Sequence, residues 1–185
     1  MTVTEEFRAA RDRLLALRGD YAAARQEFEW PRFKEFNFAL DWFDQIAADP
    51  AKADEPALVI VEQDGTATRR SFADLSARSA QVANWLRAQG VRRGDRMIIM
   101  LGNQGIVMIP TTTLMGPADL QDRVERGGAN WAAVGSANID KFSGVPGEYT
   151  LIEIGADADG GTSALRYADA AGASAEFTPD APTLA

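Results

Sequence analysis

Apolar positions in residues 4–28 recur at an irregular helical spacing, among residue types that favour helices. The apolar members of this face are Phe7, Leu14, Leu15, Leu17, Tyr21 and Phe28. The pattern predicts one long amphipathic helix that ends before Pro31, followed by a shorter, aromatic-rich helix that ends at Asp49-Pro50. We therefore interpret residues 1–50 as a helical N-terminal arm whose aromatic side chains form a packing surface.

A continuous apolar run at residues 57–61 predicts a β-strand, and Asp64-Gly65 is a turn signal before a second strand at residues 66–70. Ser71 then occupies an N-cap position three residues before Asp74, which can complete a capping box. The pattern predicts a hairpin followed by a helix that Gly90 terminates. Its apolar face carries Leu75, Val82 and Leu86.

Residues 97–101 and 106–109 are two short apolar runs typical of buried strands. Only four residues separate them: Gly102, Asn103, Gln104 and Gly105. Parallel strands need a crossover of about a dozen residues or more, so this link permits an antiparallel hairpin and excludes a βαβ unit.

A short helix is predicted from Pro117 to Gly127-Gly128, followed by strands at residues 131–134 and 149–154. The predicted fold class is α/β, with a mixed β-sheet of about five or six strands, packed helices and the helical N-terminal arm. We place the α/β core at residues 51–155. Residues 156–185 are predicted to form an acidic, Gly/Ala-rich tail, mostly loop, in which the pattern permits a short helix at residues 167–171.

The composition of the chain excludes several kinds of chemistry and disfavours some classes of partner. The 185 residues include no cysteine and no histidine, which excludes disulfides, the commonest zinc sites and Ser-His-Asp catalysis within this chain. A net charge of -8 disfavours nucleic-acid binding. No apolar run approaches the ~18 to 20 residues of a membrane span, and the charged start does not resemble a secretory signal, so we expect a cytoplasmic protein.

The strongest local candidate for chemistry is a glycine-rich stretch from Gly155 to Thr162, which follows a strand as a phosphate-binding loop does. Gly161 stands where such a loop needs lysine, and Asp157 and Asp159 add negative charge, so we interpret it as an acidic loop. The same two acids lack the further ligands of a calcium loop, and no metal site is predicted. The arginines at positions 92, 93 and 96 surround a Gly-Asp turn and are interpreted as structural.

Five short motifs, taken in order, resemble the AMP-forming acyl-CoA synthetases of the adenylate-forming superfamily, most closely the medium-chain branch. They are Phe36-Asn37-Phe38-Ala39-Leu40-Asp41, Ser71-Phe72-Ala73-Asp74-Leu75, Gly90-Val91-Arg92-Arg93-Gly94-Asp95-Arg96, Ile109-Pro110-Thr111-Thr112-Thr113-Leu114, and Pro117-Ala118-Asp119-Leu120 through Arg123-Val124. The resemblance implies part of the large N-terminal domain of such an enzyme. It also implies, for the intact enzyme, activation of a fatty or other carboxylic acid with Mg-ATP to an acyl-adenylate, and transfer to coenzyme A.

The resemblance assigns few residues of this chain. The ATP-binding loop and the catalytic lysine of the family are not found, so no catalytic residue is assigned and the chain is expected to be inactive alone and to retain no cofactor. The fourth motif implies contacts on the coenzyme A side from Thr112, Thr113 and Leu114. Relatives carry a glutamine at the place of Leu114, so apolar or backbone contact is what this chain could offer there.

One internal departure accompanies the resemblance. Relatives place a helix between the strands that correspond to residues 97–101 and 106–109, and here it is missing near Gln104 and Gly105. Either the two strands form an antiparallel hairpin or the sheet is rebuilt around the gap. We predict an N-terminal fragment of an acyl-CoA synthetase, able to form a homo-oligomer through exposed core surface. The alternative is a noncatalytic small-molecule-binding or interaction module derived from the same fold.

Overall fold

The computed structural model describes residues 1–101, 114–155 and 163–180. The chain divides into two compact units. The first comprises Met1–Val59, Thr66–Ala77 and Thr178–Ala185, and the second comprises Ile60–Gly65 and Arg78–Phe177. The sequence-based division at residues 50 and 155 stays a prediction.

Two helices open the first unit, α1 (Val3–Ala16) and α2 (Tyr21–Glu27). The prediction of one long helix is therefore wrong. Gly19 lies in the turn between them, and Asp20 caps the second helix by accepting the backbone N–H of Ala23 at 2.9 Å. Aspartate stabilises a helix when it caps the N-terminus and is unfavourable in a helix interior. A second helix therefore starts at this position, and the first helix does not continue through it.

The aromatic-rich helix begins later than predicted. A π-helical turn spans Phe38–Phe43 and continues into α3 (Asp44–Ala47). Asn37 caps the turn, because its side-chain oxygen accepts the backbone N–H groups of Ala39 at 3.0 Å and Leu40 at 3.3 Å. The residues before Asn37 are therefore not helical, although their composition resembles that of the helix.

The aromatic side chains of the arm pack on one another, as the sequence predicts. Phe7 of α1 lies with its ring centroid 5.0 Å from that of Phe36, 5.0 Å from that of Trp42 and 6.4 Å from that of Trp30. Such ring pairs add stabilisation beyond their buried area. They link α1 to the π-helical turn.

The predicted hairpin is present as β1 (Pro56–Val61) and β2 (Ala67–Ser71), which form a two-stranded sheet. Gly65 in the connecting turn has φ +86°, a left-handed conformation that favours glycine. Helix α4 (Phe72–Ala88) follows without a break. Its capping box is formed, since Asp74 N donates to Ser71 Oγ at 3.1 Å and Ser71 N donates to Asp74 Oδ2 at 3.0 Å.

A four-stranded parallel sheet forms the centre of the second unit, with its strands adjacent in chain order. The strands are β3 (Met97–Met100), β4 (Trp131–Gly135), β5 (Thr150–Ile154) and β6 (Leu165–Arg166). Helix α5 (Pro117–Gly127) precedes β4 and ends at Gly128, whose φ is +56°. Two 3₁₀ helices, Ser136–Phe142 and Tyr167–Gly172, follow β4 and β6.

Each face of this sheet carries its own apolar cluster. Alternate residues of a strand point to opposite faces, so the two clusters divide the strand residues between them. One cluster joins β3 and β4 to α5 and the first 3₁₀ helix through Ile98, Met100, Leu120, Val124, Ala129, Ala132, Val134, Ile139, Phe142 and Val145. The other packs the α4 residue Trp85 against Trp131, Ala133, Ile152 and Ala170.

The α/β class is confirmed, and its strands divide between two sheets because the hairpin forms a sheet of its own. β3, α5, β4 and β5 lie where the pattern predicts them, and the short helix expected near residues 167–171 is present. β6 was not predicted. The strand expected at residues 106–109 lies outside the described residues. The direction of that strand relative to β3 therefore stays a prediction. Within the described ranges, no helix combines the length and apolar character needed to span a bilayer.

Candidate functional site

The parallel strands β3, β4 and β5 end at one edge of the sheet. In open α/β sheets, ligands bind beyond the carboxyl ends of the strands. This edge is held together where β4 and β5 end, because Ser136 Oγ donates to the backbone oxygen of Ile154 at 3.0 Å. Gly135 lies close to β3, since a Cβ atom there would come 3.8 Å from the backbone oxygen of Met100. The ends of β3, β4 and β5 are therefore in ordinary packing contact at this edge.

Leu114 is the predicted site residue that falls within the described ranges. It lies three residues before α5, and its side chain is 89% exposed. The opposite end of α5 meets the edge where the strands begin, since Arg96 Nη1 donates to the backbone oxygen of Gly127 at 2.7 Å. The helix thus runs back over the sheet and brings Leu114 towards the edge where the strands end. Thr112 and Thr113 lie outside the described residues.

The Arg-Gly-Asp turn before β3 lies at the other edge and is structural, as predicted. The backbone N–H of Arg92 donates to Asp95 Oδ2 at 2.8 Å, and Gly94 has φ +97°. The same carboxylate oxygen accepts the indole N–H of Trp131 at 3.2 Å. Asp95 therefore ties the turn to the start of β4 rather than facing a ligand.

A buried carboxylate was missed by the sequence-based reasoning. Glu153 on β5 is 7% exposed, and its register partner on β6 is Arg166. Arg166 forms an ion pair with Asp169 at 3.2 Å. The sequence carried a signal for this residue, because a glutamate inside the apolar run of β5 is a charge that the strand must bury.

The acidic Gly-rich loop and its Asp157 and Asp159 lie outside the described residues, apart from Gly155, which has φ +93°. In the part of the chain that the structure describes, no three acidic side chains converge as metal ligands.

An apolar cavity of about 160 Å³ lies under α4, on the face of the sheet opposite α5. Its walls come from α4, from three strands and from the second 3₁₀ helix. The lining residues are Val82, Trp85, Leu86, Met97, Ile99, Leu101, Ala133, Ile152, Ile154 and Tyr167.

Arg78 is placed beside this cavity by its position on α4 and by Tyr167. Its guanidinium carbon lies 4.5 Å from the centroid of the Tyr167 ring, and Nη2 donates to the backbone oxygen of Tyr167 at 3.2 Å. Since residues four apart share a helix face, Arg78 continues the face that carries Val82. The sequence pattern did not single out Arg78, because its partner is 89 residues away.

Comparison with curated proteins gives 33% identity over 91 residues to an acetyl-coenzyme A synthetase of Cupriavidus pinatubonensis, and the same identity and length for that of Burkholderia mallei. Among solved structures, an acyl-CoA synthetase of Brucella canis matches 82% of this chain with 25% identity and a TM-score of 0.64. The resemblance to the acyl-CoA synthetases is confirmed.

The match to acyl-CoA synthetases is partial in extent. The aligned residues are 48% of this chain and 14% of the acetyl-coenzyme A synthetase, and the structural match covers 30% of the Brucella canis enzyme. An anthranilate CoA ligase shares the fold over 83% of this chain, with 19% identity and a TM-score of 0.60. No family model matches the chain.

Proposed function

We propose that this chain is an N-terminal segment of an AMP-forming acyl-CoA synthetase, and that the whole enzyme joins a carboxylic acid to coenzyme A. The observation that carries the proposal is the structural match to an acyl-CoA synthetase over 82% of the chain, at 25% identity. The separate 91-residue sequence match to acetyl-coenzyme A synthetases supports the same family. The alternative of a binding or interaction module is not favoured by these comparisons.

In the whole enzyme, the carboxylate of the acid would attack the α-phosphorus of ATP, and pyrophosphate would leave. The thiol of coenzyme A would then attack the acyl carbon, and AMP would leave with the bonding electrons of the broken anhydride. Mg²⁺ would balance the phosphate charge. Each step needs charge-stabilising groups fixed in position before the reaction.

The proposed role of this segment is to provide a scaffold. The resemblance implies that the family's phosphate-binding loop ends in a Pro-Lys pair, and no such pair occurs in residues 1–185. We assign no catalytic residue to this segment. Thr112, Thr113 and Leu114 are proposed on the coenzyme A side, where the exposed leucine would make apolar contact. A cytoplasmic location and a homo-oligomer through exposed apolar surface are further proposals.

The first test is to read the source DNA beyond the codon for Ala185. An in-frame Gly/Ser/Thr-rich loop ending in Pro-Lys supports the proposal, and a stop codon at that point contradicts it. The 185-residue chain is then assayed for pyrophosphate release with ATP, Mg²⁺ and octanoate. We expect no release above the protein-free blank from the chain, and release from the longer product.

The coenzyme A side is tested in the longer product. We expect Leu114→Glu to raise the KM for coenzyme A several-fold, because a carboxylate would repel the phosphates of that substrate. The same variant should leave adenylation, measured by pyrophosphate exchange, unchanged. Leu15→Glu on α1, where the side chain is 51% exposed, is the matched control and should change neither quantity. Equal effects of the two variants would contradict the assignment of Leu114.

A further inference from the structure

The cavity under α4 has an apolar lining, and the guanidinium of Arg78 contacts Tyr167, one of its walls. Its ten lining residues are apolar apart from the hydroxyl of Tyr167 and the indole N–H of Trp85. Apolar cavities of about 150 Å³ stay dry and bind a molecule the size of benzene. The cavity under α4 has a similar volume, about 160 Å³, but is partly open rather than enclosed.

The charge of Arg78 is available to a ligand. Its contacts in the described part of the chain are the ring and the backbone oxygen of Tyr167, and both of these partners are neutral. A guanidinium group has five N–H donors and matches a carboxylate through two of them. The carboxylate one turn earlier on α4, Asp74, accepts the backbone N–H of Ser71 at 3.0 Å.

The distance between the two parts suits one small molecule. Arg78 precedes the cavity residue Val82 by four positions, which is about 6 Å along a helix. Tyr167 forms a wall of the cavity and also stacks on the guanidinium, so the two parts share one side chain. A two-carbon or three-carbon tether is long enough to join a buried ring to a carboxylate at Arg78.

We propose that the cavity under α4 and the guanidinium of Arg78 form a binding site for a small carboxylic acid whose apolar body is about the size of one benzene ring. The body occupies the cavity, and the carboxylate pairs with Arg78. The proposal is tested by binding rather than by activity, so its outcome is independent of the proposed function.

The probe is 3-(4-fluorophenyl)propanoate, titrated against the 185-residue chain and followed by fluorine NMR. We expect saturable binding that the unlabelled acid displaces. The corresponding alcohol, which has the same body and no charge, should bind about tenfold more weakly, a difference of about 1.4 kcal/mol. Absence of saturable binding, or equal binding of acid and alcohol, would overturn the proposal, and neither comparison needs a variant.

Variants then locate the site. Arg78→Gln should weaken binding of the acid about tenfold and leave binding of the alcohol unchanged, and Arg78→Lys should restore part of the loss. The matched control is Arg87→Gln, on the same helix, where the guanidinium stacks on Phe177 with a carbon-to-centroid distance of 4.7 Å. Ala133→Leu should abolish binding of both probes by filling the cavity. If Arg78→Gln keeps its circular dichroism spectrum and binds the acid as the parent does, the assignment of Arg78 is wrong.

Discussion

Among the glycines of the described residues, Gly147, between the first 3₁₀ helix and β5, is the position at which one added methyl group should cost the most. Its φ is +139°, and a Cβ atom built there would lie 2.7 Å from Val124 Cγ1 and 3.3 Å from Tyr149 Cδ1. Val124 belongs to the core and is 5% exposed, so it has little room to move.

Gly147→Ala is therefore expected to lower the free energy of unfolding through two effects. Backbone strain of this kind costs about 1 to 3 kcal/mol, and overpacking a core costs a further 1 to 3 kcal/mol, roughly. Together they amount to about 2 to 6 kcal/mol, against a typical total of about 5 to 15 kcal/mol. Urea unfolding followed by far-ultraviolet circular dichroism measures the change.

Gly144→Ala is the matched control, because no atom lies within 4 Å of a Cβ atom at that position. We expect it to change the free energy of unfolding by less than about 1 kcal/mol. The double variant Gly147→Ala with Val124→Ala should lose less than the sum of the single losses, because the smaller side chain relieves the contact. Equal effects of the two glycine substitutions would refute the reasoning.

Two further predictions concern hydrogen-bonded side chains and pH. The hydrogen bond from the backbone N–H of Ser71 lowers the pKa of Asp74 below its ordinary 3.8. The stability that this contact contributes is therefore present above the ordinary pKa and is lost as the pH falls through the lowered folded-state pKa. Asp74→Asn should flatten the acid side of a Tm-against-pH curve, and a curve identical to the parent's would contradict this. Burial raises the pKa of Tyr149 above its ordinary 10.0, so its contribution is present below that value and is lost as the pH rises through the raised folded-state pKa. Tyr149→Phe removes the O–H that donates to Val145 O at 3.0 Å, and it should lower the free energy of unfolding by about 1 kcal/mol at neutral pH. The variant should also flatten the alkaline side of the Tm-against-pH curve. If the alkaline slope of the variant equals that of the parent, the slope does not come from Tyr149.

Local chemistry made much of the fold predictable. The Ser71 capping box, the positive-φ glycines at 65 and 128 and the apolar runs of β3 and β5 each act within a few residues. The break between α1 and α2 was missed because the apolar spacing continues across it. The contact that starts the second helix is a single hydrogen bond, which the Asp20 side chain accepts from the backbone N–H of Ala23. β6 was missed because its two residues become a strand only by pairing with β5.

One candidate site could be predicted from the sequence and the other could not. Leu114 could be named from a motif, and the structure adds its exposure and its position before α5. The cavity under α4 could not be named, because its lining residues come from elements that are far apart in the chain. Arg78 and Tyr167 illustrate this, since nothing in the local sequence of either residue indicates the other.

The chain-order arrangement of β3 to β6 has a consequence for synthesis on the ribosome. Each new strand pairs with the strand made just before it, so the sheet can grow by addition at one side as the chain emerges. Trp85 of α4, however, is covered by Ile152, which is made 67 residues later. At about 5 to 20 residues per second, this delay is roughly 3 to 13 seconds. During that interval β3 and β4 can cover part of the apolar side of α4 through Trp131 and Ala133, but Trp85 stays incompletely covered until β5 is added.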